Sequence, residues 1–197
     1  MPTTSEIIRA LIGSWKIARR DPTALAGFDF SADAFWRSFA AYIFVIPFCL
    51  VFITTQWRMM ADTAQMLGVS QSGYALIELA TYVAFWVLYP IAMIFACRVF
   101  NLTRGFAPYI IVYNWSSILV MVLLAPSYVL YSLGVANVGA ASFLLLIAFV
   151  TALIYRWQIA LTVLATTPAT AASIIGVELA LAFAINFVAS AFLQIGG

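Results

Sequence analysis

Charged residues are few and widely spaced in this chain, and the neutral stretches between them are long. Residues 38–57 and 79–97 carry no charge, and the neutral stretch 105–155 is too long for one helix. Since each charge left in hydrocarbon is costly, such stretches predict helices that cross a bilayer. A break at residues 134–139 divides the longest stretch, and Thr167 with Pro168 marks the start of a last helix. We therefore predict five helices, at about residues 34–57, 74–98, 106–132, 140–165 and 168–194.

The composition of the 197-residue chain agrees with this pattern, because 65% of the residues are hydrophobic and only 8% are charged. In a soluble domain about a quarter of all residues are charged, so a water-soluble fold is excluded. The predicted fold class is all-α: a polytopic membrane bundle of five transmembrane helices, preceded by an N-terminal amphipathic interfacial helix. We divide the chain into residues 1–33, a cytoplasmic amphipathic helix and connector, and residues 34–197, the five-span transmembrane domain.

The distribution of basic residues predicts the orientation of the spans. Five basic residues precede the neutral stretch of the first span: Arg9, Lys16, Arg19, Arg20 and Arg37. Arg98 and Arg104 lie in a loop on the same side, and Arg58 lies on the other side. The positive-inside rule places the N-terminus in the cytoplasm and the C-terminus in the periplasm or outside the cell. Eight of the nine basic residues are arginine, which is typical of a GC-rich bacterial genome and points to a bacterial inner membrane.

The segment before the first span has the pattern of an amphipathic helix. At about 100° per residue, its apolar side chains fill an arc of about 140°, with basic residues on one flank: the arc holds Ile7, Ile8, Leu11, Ile12, Trp15 and Ala18, and Ile17 lies outside it. Such a helix lies in the headgroup region of a bilayer, and the predicted lipid-surface contacts are Arg9, Trp15, Lys16 and Arg20. Alternatively, the apolar face packs on the ends of the spans or on a partner protein, or the segment is disordered.

Three polar residues within the predicted spans form a candidate intramembrane layer: Asn114, Arg156 and Glu178. Arg156 lies eleven residues before Thr167 and Glu178 eleven residues after it, so in a helical hairpin both lie about 16 Å from the turn. Adjacent antiparallel helices would let the two charges pair, and Asn114 has a similar depth in the third span. The pair is either a structural ion pair that fixes helix register or a proton or cation site.

The last helix carries a stripe of small residues at every fourth position, formed by Ala172, Gly176, Ala180 and Ala184. Small residues at this spacing allow two helix backbones to approach closely. The stripe is either packed in the core of the bundle or in contact with another subunit.

Residues suited to catalysis or metal binding are scarce. The chain has no histidine and two cysteines, Cys49 and Cys97, which are predicted at different depths. Histidine-based triads and zinc sites that use histidine are therefore excluded, and two cysteines at different depths form no metal cage. No glycine-rich phosphate loop occurs. We expect no enzymatic activity, no cofactor and no bound metal. We also expect no nucleic-acid partner, because the basic residues stand where membrane topology already requires them.

Three segments resemble the Yip family of polytopic membrane proteins, in its bacterial form. They run from Tyr89-Pro90 to Arg98, from Gly105-Phe106 to Tyr113-Asn114-Trp115, and from Tyr155-Arg156-Trp157-Gln158 to Ala165, followed by an alanine-rich last span. The resemblance covers about residues 75–195 and implies a five-span bundle with a cytoplasmic N-terminus. In eukaryotic relatives it implies a role in membrane traffic through small-GTPase partners, but their acidic-aromatic-glycine-proline N-terminal signature is missing here. The family has no catalytic residues to transfer.

Two functions are compatible with these patterns. The first is a non-enzymatic integral membrane protein that acts by association, as a subunit or assembly factor of a membrane complex or in membrane organisation. Its partners would be membrane lipids together with another protein or further copies of the chain. The alternative is a small ion or solute transporter or channel that uses the layer of Asn114, Arg156 and Glu178.

Overall fold

The computed structural model describes residues 1–60, 68 and 70–195, with side chains described as far as residue 193. Within these ranges every regular element is a helix, and five helices are long and apolar enough to span a membrane. The prediction of an all-helical chain with five such helices is confirmed. In chain order the helices are α1, Thr4–Ala18; α2, Ala32–Ser38; α3, Ala41–Met59; α4, Gln71–Val99; α5, Phe106–Ser132; α6, Val138–Leu164; and α7, Pro168–Ile195.

The first predicted span is divided into two helices, α2 and α3, that together make one apolar unit, Ala32–Met59. The division follows Ser38, whose hydroxyl donates to the backbone carbonyl of Phe35 at 2.7 Å. The other four spans begin and end within about three residues of the predicted positions. The spacing of charges therefore located the long helices but did not reveal this short interruption.

Polar side chains cap the N-termini of several helices. The hydroxyl of Thr3 accepts from the backbone N–H of Glu6 at the start of α1, and Asn137 Oδ1 accepts from Ala140 N–H at the start of α6. Thr167 caps α7 in the same manner. Each such bond satisfies one of the backbone donors that a helix leaves unpaired at its N-terminus.

The five long helices form a closed ring around a central space. Neighbours in the ring are α3 and α5, α5 and α6, α6 and α7, and α7 and α4; a smaller contact between α4 and α3 closes it. α4 also touches α5 across the ring, where the hydroxyls of Tyr89 and Tyr109 lie 2.8 Å apart. The most buried of these helices is α5. We call the end of the bundle with the N-termini of α3, α5 and α7 the α1 end, and the opposite end the far end.

The N-terminal segment packs on the bundle through its small residues and Ile17. α1 contacts both α5 and α6, and Ile17 is only 1% exposed in the same core cluster as Tyr109. At Gly13 a Cβ atom would lie 2.5 Å from Cε2 of Phe28, so the connector after α1 approaches the helix closely. The first 33 residues are therefore in direct contact with the five-helix ring.

Ion pairs add to this attachment. Arg37 of α2 lies 3.0 Å from a carboxylate oxygen of Glu6 in α1 and 3.0 Å from one of Asp29 in the connector. Hydrogen bonds from the Ser31 backbone and side chain to Asp29, together with Arg37, hold the pKa of the Asp29 carboxyl below its usual range. The Thr23 backbone N–H lowers the pKa of Asp21 in the same way.

Candidate functional site

Arg156 of α6 and Glu178 of α7 meet in the interior of the bundle. Arg156 Nε lies 3.8 Å from Glu178 Oε1, and their side chains are 7% and 13% exposed. The two residues are adjacent because α6 and α7 form an antiparallel hairpin around Thr167 and Pro168. Their equal distance from that turn, which the sequence indicated, brings the charges to one level.

The Arg156 guanidinium is held mainly by α5. Its Nη1 donates to the Tyr113 backbone carbonyl at 3.0 Å and to Ser116 Oγ at 2.9 Å, and Nη2 donates to Ser117 Oγ at 2.9 Å. Arg156 Cζ also lies 3.7 Å from the centre of the Tyr113 ring. Residues separated by three and four positions share one helix face, so Tyr113, Ser116 and Ser117 form a single acceptor surface. This surface fixes where the positive charge lies.

The Glu178 carboxylate is only partly satisfied. Oε1 accepts a hydrogen bond from the Tyr113 hydroxyl at 2.7 Å and faces Arg156. Oε2 is fully buried and has no hydrogen-bond partner among the described residues. Leaving a buried polar atom unpaired costs free energy, so one oxygen of this carboxylate is available to a ligand.

Asn114, the third residue of the predicted layer, lies in a different set of contacts. Its Oδ1 accepts from the Tyr42 hydroxyl at 2.7 Å, and its Nδ2 donates to Ser38 Oγ at 2.9 Å. Asn114 is fully buried and connects α5 to the junction of α2 and α3. The structure thus brings Arg156 and Glu178 together and places Asn114 beside them on α5 but in contact with other helices.

A cavity of about 330 Å³ lies inside the ring beside the ion pair, and we call it the inner cavity. All five long helices contribute to its wall. The polar and aromatic side chains of the wall include Tyr42 and Gln56 of α3, Glu78, Tyr82 and Trp86 of α4, Tyr113 and Ser117 of α5, Arg156 of α6, and Glu178 and Asn186 of α7. Its volume is at the lower end of the range typical of small-ligand sites.

A second cavity of about 400 Å³, the outer cavity, lies at the far end of the bundle. Its wall includes Met60, Tyr74 and Val138, which stand at or near helix ends, so the cavity is close to the surface. Gln56, Glu78 and Asn186 line both cavities. The two spaces therefore adjoin, and the outer cavity leads toward the ion pair.

The sequence-based reasoning did not select Tyr113, Ser116, Ser117 or Glu78 for this site. The first three could have been found from their spacing on α5, which places three acceptors opposite Arg156. Glu78 was read only as the charge that bounds a span. In the structure it lies seven residues inside α4, which begins after the Ser70 cap.

The predicted lipid contacts lie on the outside of α1. Trp15 is 58% exposed, and Arg9 and Arg20 are exposed as well, whereas Lys16 donates to Thr23 Oγ1 at 2.9 Å. The buried face of α1 carries Ala10, Gly13, Ser14 and Ile17 and is not the predicted apolar arc, although Ile7 at the edge of that arc also packs against the core. Ile17 lies outside the predicted arc because the sequence pattern alone does not show which face of α1 packs on the bundle.

The small-residue stripe of α7 lies on the outer surface of the bundle. Ala172, Gly176, Ala180 and Ala184 are all exposed, and a Cβ atom at Gly176 would meet nothing within 4 Å. Of the two predicted roles, packing within the core of one chain is not what the structure shows. The stripe instead forms part of the exposed surface of the bundle.

Metal-binding and thiol chemistry are sparse. Across residues 1–60, 68 and 70–193, no group of three or more cysteine, aspartate or glutamate side chains is placed to hold a metal ion. Cys49 and Cys97 are both buried free thiols. The described side chains of the site are charged groups, hydrogen-bonding groups and aromatic rings.

Comparisons with protein-family models, with curated proteins and with solved structures find no match. The resemblance to the Yip family therefore remains a prediction from the sequence, and the functional argument rests on the geometry of the site.

Proposed function

We propose that this protein is a non-enzymatic transporter that binds a small polar or charged solute in the inner cavity. The observation that carries the proposal is the buried pair of Arg156 and Glu178 in the wall of a cavity lined by all five long helices. Ionisable residues are rarely placed inside a membrane bundle without a role in a substrate or ion path. The unpaired Oε2 of Glu178 supports this function over a purely structural pair.

In this proposal the five helices cross a bacterial inner membrane with the N-terminus in the cytoplasm. Seven of the nine basic residues lie at the α1 end, Arg58 lies at the far end, and Arg156 is internal, which is the distribution that the positive-inside rule associates with a cytoplasmic α1 end. The outer cavity then faces the periplasm or cell exterior, and solute enters there. Because α1 and its connector pack over α5 and α6, transport requires a movement of these elements.

The proposal also places α1 in the membrane interface. Ile8, Ile12 and Trp15 are each more than half exposed and share the side of α1 that is turned away from the bundle. On the helical wheel the basic residues Arg9 and Lys16 adjoin this apolar face. A helix with these two adjacent faces suits the boundary between acyl chains and anionic headgroups.

The test is solute flux into vesicles that contain the purified protein. A panel of small ammonium ions, alcohols and carboxylates is added outside, and uptake is followed by light scattering. We expect at least one class to enter faster than into protein-free vesicles, and this flux to fall at least tenfold in Glu178→Gln. That variant still accepts a hydrogen bond from Tyr113 but loses the charge.

The matched control is Asp33→Asn, which neutralises an exposed carboxylate outside the cavities; its flux should equal that of the wild type. If no solute enters faster than into empty vesicles, or if Glu178→Gln leaves the flux unchanged in folded protein, the transport proposal is wrong.

Association with another membrane protein or a second copy is the other candidate function, and the exposed stripe on α7 favours it. Gly176 and its small neighbours leave a surface that a second helix could approach closely. Under this hypothesis the protein would purify as a complex in mild detergent, and Gly176→Leu would dissociate it. Ala140→Leu makes the same kind of enlargement at an exposed position of α6 and should leave the complex intact. A wild-type monomer with no bound protein would refute this function.

A further inference from the structure

The charges that face the inner cavity do not balance. Arg156 is compensated by Glu178 at 3.8 Å. Glu78 is a second carboxylate of the same wall, and within the described residues no basic side chain lies within 4.0 Å of it. All nine lysines and arginines of the chain lie in the described ranges. With both carboxylates ionised, the wall therefore carries one net negative charge.

Glu78 lies on the side of the inner cavity that is nearer the far end of the bundle. Counting residues along the antiparallel α4 and α7 places Glu78 about 16 Å closer to the far end than Glu178. Glu78 lies where the outer and inner cavities adjoin, together with Gln56 and Asn186. A cavity lined by charge of one sign concentrates ions of the opposite sign. A cation entering from the far end would therefore meet Glu78 before it reached Arg156.

The α4 part of the cavity wall continues from Glu78 toward the α1 end with aromatic side chains. Tyr82 and Trp86 follow it on α4 at intervals of four residues and line the inner cavity. The ring of Trp86 stacks on Tyr42 with the centroids 4.5 Å apart, which holds the indole in place. Aromatic faces attract organic cations, most strongly in the case of tryptophan. They offer few of the oxygen ligands that a small inorganic cation requires once it loses its water.

From these three observations we propose that the inner cavity binds a small organic monocation, with Glu78 as its counter-charge and Tyr82 and Trp86 as its aromatic wall. This inference deepens the proposed transport function and rests on the same cavity. It adds the class of solute, a compact ammonium ion carrying an apolar group. Glu78 supplies the counter-charge, while Glu178 balances Arg156 through Oε1 and keeps Oε2 as a hydrogen-bond acceptor for the solute.

The inference is tested by isothermal titration of the detergent-solubilised full chain with three probes of matched shape. Phenylethylammonium carries a positive charge, phenylethanol is neutral, and phenylpropionate is negative. We expect the ammonium to bind at least tenfold more tightly than either of the others. Glu78→Gln should weaken ammonium binding at least tenfold, whereas Glu78→Asp, which keeps the charge, and Asp33→Asn, which lies outside the cavities, should retain it.

Three outcomes would overturn the inference: equal binding of the three probes, ammonium binding unaffected by Glu78→Gln, or equal loss in Glu78→Asp and Glu78→Gln. Absence of ammonium binding together with a pH-dependent signal lost in Glu78→Gln would also overturn it, because the ligand would then be a proton.

The proposed function is judged separately. Flux of an alcohol or carboxylate without ammonium binding would contradict only the inference, and ammonium binding without flux of any solute would contradict only transport.

Discussion

The ion pair of Arg156 and Glu178 makes the strongest quantitative prediction. At a separation of 3.8 Å and an effective dielectric constant of about 20, two unit charges attract by about 4 kcal/mol. Removing one partner of a buried pair leaves the other uncompensated, at a cost on the order of 3 to 5 kcal/mol. Arg156→Leu should be the more damaging single change, because it also leaves Ser116 and Ser117 without their donor.

A double-mutant cycle measures the pair directly. The free energy of unfolding of the wild type, Arg156→Leu, Glu178→Leu and the double variant is obtained from SDS titration in mixed micelles, followed by tryptophan fluorescence. We expect the double variant to be more stable than the sum of the single effects by about 2 to 4 kcal/mol. A coupling below about 0.5 kcal/mol would show that the two charges do not interact and would refute the geometry described here.

Exchange of the two residues should not restore stability, although it keeps both charges. A glutamate at position 156 would face the carbonyl of Tyr113, which now accepts from Arg156 Nη1 at 3.0 Å. Two acceptors repel each other, so the site requires a donor on α6. Partial rescue by the exchange would show that the α5 contacts of Arg156 contribute little.

Three further predictions concern the rest of the structure. Asn114→Ala should reduce the free energy of unfolding by about 2 to 3 kcal/mol in the SDS titration, because it leaves the buried Tyr42 hydroxyl without its acceptor; an unchanged midpoint would contradict this. Gly13→Val should displace Phe28, whose ring carbon lies 2.5 Å from the position of the new Cβ, and speed trypsin cleavage within α1, whereas an unchanged rate would show that the connector is not packed there. The lowered pKa of Asp29 means that its contribution to stability is present above the unfolded-state pKa of about 4 and is lost as pH falls through the folded-state value. Hydrogen exchange in residues 21–31, corrected for intrinsic rates, should therefore accelerate on acidification, and less so in Asp29→Asn; equal behaviour of the two proteins would contradict the prediction.

The long helices could be predicted from the sequence because a chain that is to cross a bilayer is under one dominant constraint. Backbone groups in hydrocarbon must bond within the helix and charges are costly there, so the neutral stretches locate the long helices, although they do not show the division of the first one. The predicted 140–165 helix is observed as Val138–Leu164. The equal depth of Arg156 and Glu178 followed from the same regularity, since rise per residue is constant along a helix.

The parts that could not be predicted depend on which helix faces which. Asn114 was expected to complete one polar layer with Arg156 and Glu178. A rotation of about 100° between consecutive residues instead turns its side chain toward Tyr42, while Tyr113 faces the ion pair. Ile17 contradicts the amphipathic pattern of α1 until α5 and α6 are known to lie against it. The neighbouring helices decide which way both side chains face, and those neighbours cannot be deduced from periodicity or composition.

The most direct test of the account is whether water-borne cations reach the wall of the cavity from the far end. Asn186→Cys places a thiol where the two cavities adjoin, and Phe183→Cys places one on the outer surface of the same helix, where the native side chain is 74% exposed. Membrane-impermeant methanethiosulfonate reagents, one cationic and one anionic, are added to the outside of intact spheroplasts; the native Cys49 and Cys97 are buried. We predict that Asn186→Cys reacts with the cationic reagent at least tenfold faster than with the anionic one, while Phe183→Cys, surrounded by lipid, stays unmodified. No reaction at Asn186→Cys, or equal rates with both reagents, would contradict an open, cation-selective cavity.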